Sequence, residues 1–160
     1  MVIDAEGDML RLRSQVSVDY RAFMDAAGHV LHDEALPDDC DQAIVLRAGD
    51  LLPGWYDDWV IFERERLRQL RLHVLDSLAE RLASRRQFMR ALEAAMTSAG
   101  IEPLRESAHR AVIRVHLDDG NACEALRQYR FCRRLLREQL GARPTQQLER
   151  LVDGIAVTRP

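Results

Sequence analysis

The amino-acid sequence predicts an all-α fold of antiparallel helical hairpins stacked as repeats, with a short β-hairpin ahead of them. Three observations predict it. Apolar residues recur every three or four positions over most of the chain beyond Asp19, turn residues interrupt that pattern at intervals, and two of the resulting hairpins match each other at a fixed offset. With 160 residues, 47% hydrophobic and 31% charged, the chain can bury a real core as one domain and is short for two.

Val2 to Leu12 holds two short apolar pieces around Asp4-Ala5-Glu6-Gly7-Asp8, the pattern of a β-hairpin with a Gly-containing turn. Such a hairpin is too small to stand alone. From Asp19, which can cap the start, Ala22, Phe23, Ala26, Val30 and Leu31 recur at helical spacing, with Gly28 as a weak point. Leu36-Pro37-Asp38-Asp39 ends that helix, Asp41 to Ala48 predicts a short second one, and Ala48 to Gly54 is rich in turn residues. Asp57 or Asp58 offers an N-cap for the longest run, which reaches about Ser84 and carries Leu67, Leu70, Val74, Leu75, Leu78 and Leu82. Gln87 to Ala99 predicts the next helix, stopped by Gly100, and Pro103 is expected to open another that runs to Leu117 and stops at Asp118-Asp119-Gly120. Asn121 with Glu124 resembles a capping box for a helix reaching Leu140 and closing on Gly141. Pro144 and Thr145 then start a short last helix ending near Gly154.

Ala91-Leu92 recurs as Ala125-Leu126, an offset of 34 residues, which is the tetratricopeptide period. Ala91 as the small residue of a second helix places Leu75, Leu78, Ala79, Leu82, Ser98 and Pro103 where that repeat needs them: small residues let paired helices approach, and large apolar ones fill the groove between them. Tyr129 and Cys132 suit the second unit. His109, Ile113 and His116 suit its first helix poorly, and Pro144 comes late, so the repeat is degenerate with a lengthened last helix.

The net charge of −3 hides an asymmetry, since residues 1–50 carry 4 Arg against 11 acids and residues 51–160 carry 19 Arg against 15. An acidic N-terminal third therefore precedes a mildly basic body, and neither approaches the basicity of a stand-alone nucleic-acid binder. Every basic residue is Arg, a pattern that biased base composition explains as well as phosphate or carboxylate recognition does. No apolar run is long enough to span a bilayer, and the N-terminus lacks the basic and apolar regions of a secretory signal, so a cytoplasmic protein is expected. Met1 favours a complete reading frame. Cys40, Cys123 and Cys132 form no C-x-x-C pair and are expected to be reduced and mostly buried.

Arg127, Arg130, Arg134 and Arg137, spaced three, four and three, form one stripe on a helix whose other side carries Ala125, Tyr129, Cys132, Leu136 and Leu140. The stripe reads as a solvated outer face or as a surface for phosphate or an acidic partner. Trp55, Tyr56, Trp59 and Phe62 crowd one turn in a chain with 6% aromatic residues; they read as interface anchors or, more plainly, as a pin holding the turn against the repeat core. His29 and His32 near Asp33, Asp38, Asp39, Cys40 and Asp41, and His109, His116 and Cys123, lack metal-site spacing. With no Gly-rich phosphate loop, no G-x-S-x-G elbow and no H-E-x-x-H, no catalytic, cofactor or metal site is expected.

The segment Gly49-Asp50-Leu51-Leu52-Pro53-Gly54-Trp55-Tyr56-Asp57-Asp58-Trp59-Val60, followed by Glu63-Arg64-Glu65-Arg66-Leu67, resembles the signature of the bacterial transcriptional activator domain. Glu102-Pro103-Leu104-Arg105-Glu106, Ala125-Leu126-Arg127-Gln128-Tyr129 and Leu140-Gly141-Ala142-Arg143-Pro144 match in order, so the resemblance covers about residues 17–156, leaving 1–16 as a β-hairpin or wing remnant and 157–160 as a tail. In that family, best known from the Streptomyces antibiotic regulatory proteins, the domain follows a winged-helix DNA-binding domain. The resemblance implies tetratricopeptide-like hairpins and a non-enzymatic role in self-association and in contact with the transcription machinery or another regulator. Only 17 residues precede Val18, too few for a recognition helix, which leaves open a DNA-associating regulator whose truncated wing and arginine stripe touch phosphates. An adaptor for a signalling ATPase or kinase is a third reading, since the family's repeats occur in such multidomain proteins.

Overall fold

The computed structural model describes residues 2–153 and 155. Two strands, β1 (Ile3–Glu6) and β2 (Met9–Leu12), precede α1 (Asp19–His32), α2 (Asp39–Arg47), α3 (Asp58–Ser84), α4 (Phe88–Ile101), α5 (Glu106–Asp118), α6 (Ala122–Leu140) and α7 (Gln146–Val152). The strands pair antiparallel with Ile3 opposite Leu12 and Glu6 opposite Met9. Gly7 turns the hairpin at φ 61°, where a Cβ would be strained. Ile3, Leu10 and Leu12 share one face by strand alternation and stay exposed.

The helices form a sequential array in which α3 packs on α4, α4 on α5 and α5 on α6; α1 and α2 pack on each other and on α3, and α7 lies against α5 and α6. Two apolar clusters hold it together. The larger joins Phe23, Ala26 and Val30 of α1, Val45 of α2, Val74, Leu75, Leu78 and Leu82 of α3, Ala91, Ala94 and Ala95 of α4, and Val112 and Val115 of α5. The smaller joins Ile113 of α5, Ala125, Cys132 and Leu136 of α6, and Leu148 of α7. Ala91 and Ala125, 34 residues apart, are both fully buried, as close helix approach requires.

Several boundaries depart from the sequence reading, each for a local reason. Asp38, not a residue near Asp41, caps α2 by accepting the Asp41 N–H at 2.8 Å, so the helix starts two residues early. Gly100 does not stop α4, which continues to Ile101 because that side chain reaches the larger cluster. Pro103 does not open α5; it sits in the preceding turn, where its carbonyl bonds His109 Nε2 at 2.8 Å, and the helix begins at Glu106. The capping box at Asn121 does not form, since its Nδ2 donates to Asp119 at 2.6 Å instead. Gly141 does close α6 in the left-handed conformation, at φ 64°. Leu140, expected on the core side, is 58% exposed, while His109, judged a poor fit, is buried between Pro103 and Gln128 Nε2, 2.8 Å from Nδ1. The tail and the expected helix end at Gly154 lie outside the described residues.

Candidate interaction surface

The loop from Ala48 to Asp57 is shaped from α3. Arg64 Nε donates to the Leu51 carbonyl at 3.0 Å, and its Nη2 donates to those of Leu52 at 2.9 Å and Trp55 at 3.1 Å. Three carbonyls on one guanidinium hold a loop in which Leu52 takes a left-handed φ of 45°. Two helical turns further along the same face, Arg71 bonds the Leu46 carbonyl at 2.8 Å; its burial lowers its pKa, with Asp50 acting in the opposite sense. Arg81 performs the same service for α1, donating to the carbonyls of His29, Val30 and Ala35. These arginines were not singled out from the sequence. The available signal was that Arg64 and Arg71 fall within the apolar stripe of Leu67, Val74 and Leu78, where a charge needs a fixed partner.

The clamped loop lifts the aromatic cluster away from the core. Trp55 is 55%, Tyr56 79%, Trp59 59% and Phe62 78% exposed, and Ile61 beside them is also exposed. This corrects the expectation that the rings pin the turn against the repeat core: Val60 and Arg64 do that, Val60 by full burial. Trp59 and Phe62, three residues apart on α3, share a face beyond the turn that carries Trp55 and Tyr56. Asp57 and Asp58 flank the rings with no ion pair among the described residues. Nearby Arg66 is committed to Glu63 at 2.5 Å, and Arg68 to Glu65 at 2.8 Å and Glu102 at 2.5 Å. The Arg68 and then the Gln69 hydrogen bonds pull the Glu65 carboxyl down to about 2. The ridge is therefore aromatic and locally acidic. Beside it, α1, α2, α3, the loop and the end of α4 line an open groove of about 1000 Å³, with Phe23, Ile44, Leu67 and Ile101 among its lining residues.

Arg127, Arg130, Arg134 and Arg137 are all exposed on α6, opposite buried Ala125, Cys132 and Leu136. Arg127 pairs with Glu124 at 2.8 Å, and the Arg134 guanidinium lies 5.9 Å from the Phe131 ring centroid. Arg130 and Arg137 have no ion pair among the described residues. The structure does not bring this stripe together with Trp55 and Trp59: α6 lies against α5 and α7, at the far side of the array from α1 and α2.

The motif residues between these surfaces tie helices to one another. Arg105 pairs with Asp76 of α3 at 3.0 Å, and Asp76 also accepts from Ser98 Oγ of α4 at 2.8 Å. Glu106 accepts the Thr145 N–H at 3.0 Å and its hydroxyl at 2.7 Å, holding the start of α7. Among the candidate metal residues, His29 Nδ1 instead meets Asp41 Oδ2 at 2.7 Å. No group of three or more ligating side chains occurs among the described residues. Cys132 is buried, and that burial, with Glu106 contributing, pushes its thiol up to about 11; Cys40 and Cys123 are exposed, against the expectation that most thiols would be covered.

A protein-family model described as the bacterial transcriptional activator domain matches residues 18–156. No curated protein matches the chain.

Proposed function

The chain belongs to the bacterial transcriptional activator domain family, and from that premise we propose that it works without catalysis, by protein–protein contact within a transcription-activating assembly. The carrying observation is the exposed aromatic ridge of Trp55, Tyr56, Trp59 and Phe62 on a loop that Arg64 holds in shape. Large rings on a fixed backbone lose little conformational freedom on binding, so each can contribute as a hot spot. The partner is a component of the transcription machinery or another regulator, and the family's regulatory role supports that choice.

The test is binding of the immobilised domain to purified bacterial RNA polymerase, compared with Trp55→Ala/Trp59→Ala. Loss of about 2 kcal/mol per anchor corresponds to a roughly 30-fold weaker Kd for each. Equal binding by the double variant removes the ridge from the reading. Polymerase binding absent from the unaltered domain as well would redirect the search to other regulators.

A second reading is favoured by Arg130 and Arg137, exposed and without ion pairs among the described residues: the α6 stripe touches DNA phosphates. Anisotropy with random duplex DNA should then show binding that weakens steeply with salt and falls in Arg130→Ala/Arg134→Ala.

A further inference from the structure

The groove beside the ridge joins an apolar floor to positive charge that its own carboxylates leave unpaired. Phe23 of α1, Ile44 of α2, Leu67 of α3 and Ile101 at the end of α4 supply the floor. Arg47, Arg64, Arg68 and Arg71 line the same groove, against two acids, Asp19 and Asp50. The four guanidiniums are not equivalent. Arg68 is paired with Glu65 and Glu102, and Arg64 is spent on three loop carbonyls. Arg47 and Arg71 have no ion pair among the described residues. Arg47 is exposed. Arg71 is half-buried and donates to the carbonyls of Val45 at 3.4 Å through Nε and Leu46 at 2.8 Å through Nη2, which leaves Nη1 uncommitted among the described residues. Because Arg71 bonds the carbonyl of the residue before Arg47, both cations sit at the C-terminal end of α2.

A half-buried guanidinium beside apolar surface, with no counter-ion, carries a desolvation cost that a bound anion offsets. We propose that the groove binds a small amphipathic carboxylate, with its apolar body on Phe23, Ile44, Leu67 and Ile101 and its carboxylate on Arg47 and Arg71. A concave, mostly apolar site with a few placed charged groups is the usual composition of a small-molecule pocket, and about 1000 Å³ leaves room for a medium-chain acid. Guanidinium forks take carboxylate and phosphate alike. Asp19 and Asp50 decide between them, because two carboxylates lining the groove repel a doubly charged phosphate monoester more than a singly charged carboxylate. The occupant is a small molecule, so the proposal goes beyond the protein-contact reading and is tested without polymerase.

The test is calorimetric titration with decanoate, decan-1-ol and decyl phosphate, with thiol modification reporting where the probe sits. Cys40 lines the groove, whereas Cys123, also exposed, lies on α6 and serves as an internal control. Decanoate should bind one per chain, slow the modification of Cys40 several-fold and leave Cys123 unchanged. Decan-1-ol, with the same chain and no charge, should bind about tenfold more weakly, the worth of a charge-assisted pair, and decyl phosphate should also bind more weakly than decanoate. Arg47→Gln alters an exposed side chain and should weaken decanoate about tenfold without changing Tm or the affinity for decan-1-ol. Ala43→Phe places a ring in the groove and should abolish binding of both, with circular dichroism establishing that it folds. The absence of saturable decanoate binding overturns the proposal, as does binding that protects neither thiol or both. Equal affinity for decan-1-ol, or unchanged decanoate affinity in Arg47→Gln, removes anion recognition and overturns it as well. Tighter binding of decyl phosphate overturns the choice of carboxylate.

Discussion

Asp76 is where three helices meet. Its Oδ1 accepts from Ser98 Oγ and its Oδ2 pairs with Arg105, so α3, α4 and the residue before α5 share one carboxylate. The ion pair is partly solvated and contributes modestly; the greater consequence is for the fully buried Ser98 hydroxyl. Asp76→Ala leaves that hydroxyl with only Arg105 at 3.4 Å and is expected to cost about 1–3 kcal/mol in urea unfolding. Ser98→Ala removes the hydroxyl along with its need for a partner and should cost less, so the reverse order would contradict the account. The same asymmetry applies to Ser107, whose buried hydroxyl has no hydrogen-bond partner among the described residues. Ser107→Ala is expected to be neutral or stabilising by up to about 1 kcal/mol in the same assay. His29 offers a pH-dependent tie between α1 and α2. Its hydrogen bond to Asp41, then the Asp41 charge, raises its pKa above the ordinary 6.5. A raised folded value means the contribution is fully present below the unfolded pKa and is lost as pH climbs through the folded one. An NMR titration of the His29 ring should therefore show a midpoint above 6.5 that returns toward it in Asp41→Asn.

At the scale of elements, α7 shows how a short helix is kept in place. Seven residues are too few to be stable alone. It is held by Leu148 in the smaller cluster and by Glu106, which reaches from the first turn of α5 to accept the N–H and hydroxyl of Thr145, the N-cap. Glu106→Ala is expected to destabilise by about 1 kcal/mol and to speed proteolysis within 146–152 before any cleavage elsewhere; uniform cleavage along the chain would argue against it. The existence and order of such elements were legible in the sequence, because Leu67 to Leu82 and Ala125 to Leu136 repeat with a clear helical period. Their edges were less so. Gly100 and Pro103 carry strong local signals, and both were overridden by tertiary contacts, Ile101 with the larger cluster and His109 with the Pro103 carbonyl. The candidate surface was half legible for the same reason. The aromatic composition of residues 55–62 marked the ridge, but whether rings point inward or outward depends on Arg64 capturing three carbonyls, which no local pattern encodes.

For the molecule as a whole, the decisive feature is that two cores of unequal size share α5. Val112 and Val115 point into the larger cluster, where α1 to α4 contribute, and Ile113 points into the smaller one with α6 and α7. Adjacent residues on one helix thus serve opposite sides, which couples the cores while leaving the second dependent on few buried side chains. Local opening free energy follows the apolar contact that must be broken, so α6 and α7 should open as a unit below the global unfolding free energy. Native-state hydrogen exchange checks this: amides of α3 and α4 should report the global value, and those of α6 and α7 a lower one. Leu148→Ala, which empties a fully buried site, is expected to cost about 2–5 kcal/mol. Its effect should fall on the α6 and α7 amides first, with α3 and α4 changing only as far as α5 transmits the loss through Ile113. Equal loss at all sites would mean that the two clusters act as one core. The partition also bears on function, because the arginine row rides on the less stable unit and the aromatic ridge on α3 in the more stable one. Any partner that grips α6 then stabilises the part of the array most in need of it, and binding should raise the protection of α6 and α7 more than that of α3.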